Sequence, residues 1–294
     1  MIWMTANAIN GFLLAAQKWV NHEVTNPLSI LVLNLMPTRQ NTERQFLTRF
    51  SEIGSDAELT FMYPSSHHFR GTSTDLIQRD YVCLDQIRDA HYDGLIVTGA
   101  PIETLPFNQV DYWDELEEII DWSKDHVTEC LYECWAAQAC LFHDFGVRKH
   151  LLLSKLFGVY PAETINAESP IARGFGAGGL LKMPQSRHTG IVLDEDHLPE
   201  GLMVDVSSAV TGPIILSADS LHSTYITGHP EYSEGTLVLE YYRDLYEQMP
   251  IRLPQNYFID QDSGTVDYSW KNSSIQIYDN WTKIIANKKV GLSI

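Results

Sequence analysis

The sequence predicts an α/β fold with a mainly parallel sheet and an antiparallel extension. Two observations carry that reading. Short apolar runs rich in branched residues alternate with helix-periodic segments from Ser29 to Phe145, which is the pattern of a parallel sheet covered by helices. From Leu151 to about Ser220 the strands become shorter and glycines more frequent, which suggests antiparallel strands added to the same sheet.

Ser29–Leu35 (SILVLNL) is almost continuously apolar, as a strand buried on both faces requires. Asn41–Phe50 follows with Phe46, Leu47 and Phe50 at helical spacing and Thr42 as the N-cap. Glu58–Tyr63 reads as a second strand and Pro64–Thr74 as a polar loop. Asp93–Thr98 is the clearest strand and runs straight into Gly99-Ala100-Pro101. Val110–Lys124 places Trp113, Leu116, Ile119 and Ile120 on one helical face. Thr128–Cys134 is a strand, and Trp135–Phe145 is a helix closed by Gly146. Ser223–Thr227 returns as a strand, Gly235–Gln248 as a helix, and Ser274–Asn287 as a last helix after a polar stretch. With no internal repeat or linker, residues 1–294 read as one domain, with 1–27 an atypical N-terminal leader and 251–294 a C-terminal extension.

The chain carries 38 acidic against 20 basic residues, a formal charge of −18. A nucleic-acid partner needs the reverse balance, because phosphates are neutralised by Lys and Arg. No apolar run reaches the roughly 18–20 residues of a membrane span, so no membrane partner is expected. The four cysteines, Cys83, Cys130, Cys134 and Cys140, form no CxxC pair and no zinc spacing, so no metal is expected. Met1–Gln17 lacks the basic start and small-residue cleavage site of a signal peptide. Reduced thiols in the cytoplasm follow.

Two constellations point to chemistry. In Leu131–Ala139 (LYECWAAQA) an apolar strand ends on Cys134 and a small-residue helix starts at once. A thiol on such an elbow projects from the carboxyl edge of the sheet, above backbone N–H groups that stabilise a thiolate or an oxyanion. The alternative is a small buried core cysteine. In Tyr225–Tyr232 (YITGHPEY) a strand ends in glycine and presents His229, with Glu231 two residues on to orient the ring. The alternative there is a surface histidine in a turn. Gly99 and Ala100 allow close backbone approach to a ligand, and Arg187 and Arg243 are candidates for pairing with a carboxylate.

Together these segments resemble the homoserine O-succinyltransferase and O-acetyltransferase family of methionine biosynthesis. The matching blocks are NLMP (Asn34–Pro37), DGLIVTGAP (Asp93–Pro101), WSKDHVT (Trp122–Thr128), CWAAQA (Cys134–Ala139), SRHT (Ser186–Thr189), TGHPEY (Thr227–Tyr232) and YRDL (Tyr242–Leu245). The resemblance implies a flavodoxin-like three-layer sandwich of the class I glutamine amidotransferase type. It implies ping-pong acyl transfer in which Cys134 is acylated by an acyl-CoA, His229 moves the proton and Glu231 orients His229. Backbone N–H groups at Trp135, Leu35 and Gly99 are then expected to hold the oxyanion. Arg187, Arg243, Ser186, Glu240 and Arg39 are expected around the amino-acid substrate.

Glu103, two residues after Gly-Ala-Pro, matches members that use acetyl-CoA, because a glutamate there repels the terminal carboxylate of a succinyl group. The expected reaction is therefore acetyl transfer from acetyl-CoA, as co-substrate and with no cofactor, to the hydroxyl of L-homoserine. Arg39 and Asn41 stand where members carry lysine and glutamate, and Gln185 where histidine is common, which keeps L-serine as a second acceptor. A glutamine-hydrolysing amidase built on the same Cys–His–Glu set is the remaining reading. A homodimer is the assembly the resemblance implies.

Overall fold

The computed structural model describes residues 5–69, 73–176, 180–194 and 196–291. The chain opens with strand β1 (Ala6–Ala8) and the short helix α1 (Phe12–Ala15). It then alternates through β2 (Leu28–Leu33), α2 (Arg39–Phe50), β3 (Ala57–Met62), α3 (Thr74–Asp80), α4 (Leu84–Ile87) and β4 (Tyr92–Val97). Next come α5 (Trp113–His126), β5 (Val127–Glu133) and α6 (Trp135–Phe145). A strand-rich part follows, with β6 (Lys149–Pro161), β7 (Thr164–Ile165), β8 (Lys182–Ile191), β9 (Met203–Ser208), β10 (Gly212–Ala218) and β11 (Ser223–Ile226). Helix α7 (Thr236–Tyr246), the hairpin β12 (Phe258–Asp260) and β13 (Thr265–Val266), and helix α8 (Lys271–Lys289) follow.

Nine strands form one sheet in the order β1-β3-β2-β4-β5-β11-β10-β9-β7. From β1 through β11 neighbouring strands run parallel, and β10, β9 and β7 continue the sheet antiparallel. Alternation along each strand sorts the side chains into two layers. Ile30 and Val32 of β2 join Phe46, Phe50, Tyr278 and Trp281 of α2 and α8 on one face. Leu31 and Leu33 join Leu116, Ile120, Ala139 and Leu141 of α5 and α6 on the other. The result is the expected three-layer α/β sandwich.

The antiparallel extension is only partly as the sequence suggested. Strands β9, β10 and β7 extend the main sheet, but β6 and β8 pair with each other in a separate sheet. The reason lies in what β8 is bonded to. Pro184 O accepts the His229 N–H and Lys182 N–H goes to Ser273 Oγ, so β8 is tied to the loop after β11 and to α8.

The helix expected from Asn41 starts at Arg39, and Thr42 is inside it rather than at its cap; Thr38 takes the N-cap position. The polar loop after Pro64 is present up to Phe69, its residues 70–72 lie outside the described residues, and α3 already starts at Thr74.

The leader, whose first four residues lie outside the described ones, supplies the edge of the sheet. Ala6, Asn7 and Ala8 pair with Ala57, Glu58 and Leu59. The Asn21 side chain then occupies backbone groups of Ala8 that an edge strand would otherwise present, and the Asn7 side chain ties the strand to the His22 backbone. Asn21 accepts the Ala8 N–H at 2.9 Å and donates to Ala8 O at 2.7 Å, and Asn7 makes the same pair of bonds with the His22 backbone.

Helix α8 reaches the sheet because β4 carries Gly94 where a side chain would stand. A Cβ there would run into the Trp281 indole and into Ile30 Cδ1. Overpacking of this kind costs about 1–3 kcal/mol. The variant Gly94→Ala is therefore expected to lower the urea midpoint by a corresponding amount with the slope unchanged. A midpoint equal to that of the parent would show that Trp281 is free to move.

Candidate active site

Strand β5 passes into α6 with no spacer, and Cys134 is the residue at the joint. Its backbone sits at φ 51°, ψ −113°, a left-handed conformation that non-glycine residues rarely adopt. The joint is held by the Cys134 N–H on Ile226 O at 2.7 Å and the Gln138 N–H on Cys134 O at 3.2 Å. Small residues make the turn possible, since Ala136, Ala137 and Ala139 are fully buried behind it. Trp135 heads α6, so its N–H belongs to the first turn, where donors lack a partner within the helix.

Strand β11 lies beside β5 in parallel register, with Ile226 opposite Glu133. The loops that follow both strands therefore leave the same edge of the sheet, the edge at which open α/β sheets bind ligands. His229 is placed there by its N–H on Pro184 O at 2.9 Å and by stacking on Tyr232 at 4.1 Å between ring centroids. Its Nδ1 lies 2.8 Å from Glu231 Oε1, and both residues are buried. Burial alone would depress the imidazolium pKa. The Cys134 thiol and the Glu231 carboxylate outweigh it and hold the group well above the ordinary histidine value.

Gly99 closes the third side. A Cβ at this position would stand 3.1 Å from His229 Cε1 and 3.2 Å from Cys134 Cβ. The structure therefore brings Cys134, His229, Glu231, Trp135 and Gly99 together. Leu35 is different, because its N–H is already taken by Thr98 Oγ1 at 2.9 Å. It drops out of the expected oxyanion donors.

These residues open into a cavity of about 770 Å³ that Cys134, His229 and Glu231 line at one end. Glu103 lines it too, its Oε1 accepting the His188 N–H at 3.3 Å. Ser186, Glu240 and Arg243 form a polar side of the same cavity. Glu240 accepts hydrogen bonds from Ser186 Oγ and Tyr232 Oη, and Arg243 places Nε and Nη2 on Asp244 Oδ1 at 2.8 and 2.6 Å.

Two expected substrate residues are elsewhere. Arg187 is buried in β8 and spends its donors on Gln185 Oε1, Thr189 O and Thr211 O. Its burial lowers its pKa, and its guanidinium serves the strands rather than the cavity. Arg39 is likewise buried, with its guanidinium 4.7 Å from the Phe69 ring.

The sequence reading missed Lys155. Its ammonium lines the cavity, 2.7 Å from Asp244 Oδ2 and 4.0 Å from Glu240 Oε2. Nothing local signals it, because its partners come from α7, far along the chain. Among the described residues no group of three or more His, Cys, Asp or Glu side chains is gathered as a metal site.

Chemically, the arrangement offers a thiol on a helix N-terminus, a base beside it, and a carboxylate that fixes the base through Nδ1. Burial pushes Cys130 up to about 12 and moves Cys140 well above the usual thiol range. At pH 8 iodoacetamide is therefore expected to modify Cys134 well before Cys130 or Cys140, read by peptide mass spectrometry. Earlier modification of either of those two would contradict this geometry.

Comparison with known proteins agrees with the geometry. The homoserine O-succinyltransferase family profile matches residues 5–290. A homoserine O-acetyltransferase of Bacillus licheniformis is 39% identical over 266 residues, covering 90% of this chain and 87% of the relative. One of Lactococcus lactis is 40% identical over 275 residues, covering 93% and 85%. Among solved structures, a glutamine amidotransferase of Thermotoga maritima superimposes with a TM-score of 0.58 at 10% identity, covering 89% of this chain and 99% of its own. Another from Methylobacillus flagellatus gives 0.53 at 13%, covering 88% and 94%. At such identities the likeness is one of fold, and it is the glutamine amidotransferase fold. The chain belongs to the homoserine O-succinyltransferase family.

Proposed function

We propose that the protein transfers an acetyl group from acetyl-CoA to the side-chain hydroxyl of L-homoserine, through an acyl-cysteine on Cys134. The observation that carries this reading is Cys134 on its elbow, with His229 and Glu231 beside it, at the end of a cavity that Glu103 also lines. The names of the two relatives at 39% and 40% identity support the same acyl group and acceptor.

In the first half-reaction the Cys134 sulfur attacks the thioester carbonyl. His229 holds the thiol proton and returns it to the departing CoA sulfur. With Nδ1 engaged by Glu231, Nε2 is the nitrogen left for that work. The oxyanion is met by the Trp135 N–H and the Gly99 loop. In the second half-reaction the amino acid's hydroxyl gives its proton to His229 and attacks the acyl-cysteine; the acyl C–S bond breaks and His229 returns the proton to the Cys134 sulfur. Glu240 and Arg243 carry charges opposite to the ammonium and carboxylate of an amino acid, and both line the cavity. A glutamate at position 103 favours an acetyl over a succinyl donor by repulsion. The reading includes a cytoplasmic location, in keeping with four free cysteines, and a homodimer.

The test is release of CoA thiol from acetyl-CoA or succinyl-CoA, each offered L-homoserine and L-serine. Release with acetyl-CoA and homoserine is expected. Release with serine alone would move the acceptor and keep the mechanism, while ammonia from glutamine in place of thiol release would replace the reading by an amidase. Removing the nucleophile in Cys134→Ala is expected to lower kcat by at least about a thousandfold. His229→Asn, which removes the base, is expected to cost about 10²–10⁴-fold. Glu103→Gly is expected to admit succinyl-CoA as donor; a variant still confined to acetyl-CoA would take donor choice away from Glu103.

A further inference from the structure

The residue before the thiol is a carboxylic acid with no exposure to water. Glu133 ends β5, and strand alternation points it to the α2 and α8 side of the sheet, away from α6. Tyr278 Oη of α8 donates to its Oε1 at 2.5 Å. Its Oε2 has no partner, and neither does Oε2 of Glu231, whose other oxygen holds His229. Ser274, one turn before Tyr278 on α8, bonds Pro230 O, so α8 holds Glu133 and the Glu231 loop side by side, and the two carboxyl groups act on each other. A buried acceptor left without a donor keeps its full desolvation cost. One proton between the two carboxyls satisfies both.

We propose that Glu133 is a positioning residue: its carboxyl keeps a proton, donates it to Glu231, and thereby sets the charge that Glu231 presents to His229. The proposal rests on the catalytic roles given above to Cys134, His229 and Glu231. Charge balance supports it. A protonated Glu133 leaves the pair with a single negative charge beside His229, where two ionised carboxylates would repel each other out of water's reach. Burial, and after it the Glu231 carboxylate, push the Glu133 acid well above the ordinary range, with Tyr278 and His229 opposing. The groups around the pair are His229 and Tyr232 from the loop after β11 and Tyr278 from α8. Arg49 of α2 lies beyond Tyr278 and is engaged by Glu52 and Tyr268.

Glu133 does not line the cavity, so its removal acts on the chemical step and not on substrate contact. Without the shared proton the whole charge of Glu231 falls on His229. The imidazolium is then held more tightly and gives its proton to the leaving group less readily.

The first test is infrared spectroscopy of the intact protein at pH 7. In the parent-minus-variant difference spectrum, a carbonyl band of a protonated carboxylic acid is expected to be lost in the near-isosteric Glu133→Gln and shifted in Tyr278→Phe. A difference spectrum of Glu133→Gln without that loss leaves the acid signal to other buried acids, such as Glu129, and overturns the proposal. The shift in Tyr278→Phe decides the matter should the glutamine variant not fold. Kinetics supply the second readout. Glu133→Leu is expected to lose about tenfold or more in kcat with KM little changed, and Glu133→Gln, which still donates to Glu231, to recover most of it. Equal losses in both variants would reduce Glu133 to packing. Should the parent transfer no acyl group at all, the infrared result still judges the proton, and only the catalytic role assigned to the triad fails.

Discussion

The structure turns on the joint between β5 and α6. Because Cys134 alone separates strand from helix, it must take a backbone conformation that costs a non-glycine residue about 1–3 kcal/mol. That cost is offset by its neighbours. The Ile226 carbonyl receives its N–H, alanines let α6 come close, and Gly99 leaves room for the side chain. The parallel pairing of β5 with β11 does the rest. It aligns the ends of two strands distant in sequence, so a thiol and an imidazole on separate loops meet without any long connecting arm.

Several of the carboxyl groups buried in this acidic chain have their own sets of partners, although Asp205 has none. Glu43 accepts the N–H groups of Phe12 and Leu13 and the Tyr81 hydroxyl, and in doing so fixes α1 against α2. Burial still raises its pKa. Glu129 is pushed by burial to about 7 despite the Lys288 ammonium 2.8 Å away. Glu231 takes an imidazole, and Glu133 a tyrosine hydroxyl. In the cavity itself, Lys155 and Arg243 stand over Asp244 and Glu240, so the region keeps cations within an acidic molecule. An amino acid carrying both charges meets both signs there.

Much of this was legible in the sequence, and for local reasons. The strands β2, β4 and β5 are short and mainly apolar, and helix α6 has the same bounds as its pattern of small residues followed by Gly146. Cys134, His229 and Gly99 stood out because each follows a buried strand directly. What was not legible depends on contacts between distant segments. No periodicity marks Ala6–Ala8 as a strand, since three residues show no pattern and the pairing is supplied by β3. Arg187 looked like a carboxylate binder until its neighbours were known to be the backbone of β8 and the turn before β10. Lys155 and Glu133 were missed because a lysine in an exposed-looking run, or a glutamate beside a cysteine, reveals nothing without its partners in α7 and α8.

Helix α8 is a late element of the chain, yet it is the wall against which the site is set. Ser274 hydroxyl binds Pro230 O, Trp270 Nε1 binds Tyr232 O, and Tyr278 reaches Glu133. During synthesis, β5 with its thiol and β11 with its imidazole loop leave the ribosome well before these three contacts can form. A nascent chain therefore carries a sheet with a cysteine on it before it carries a reactive centre. The site is completed only once α8 has been made and has docked.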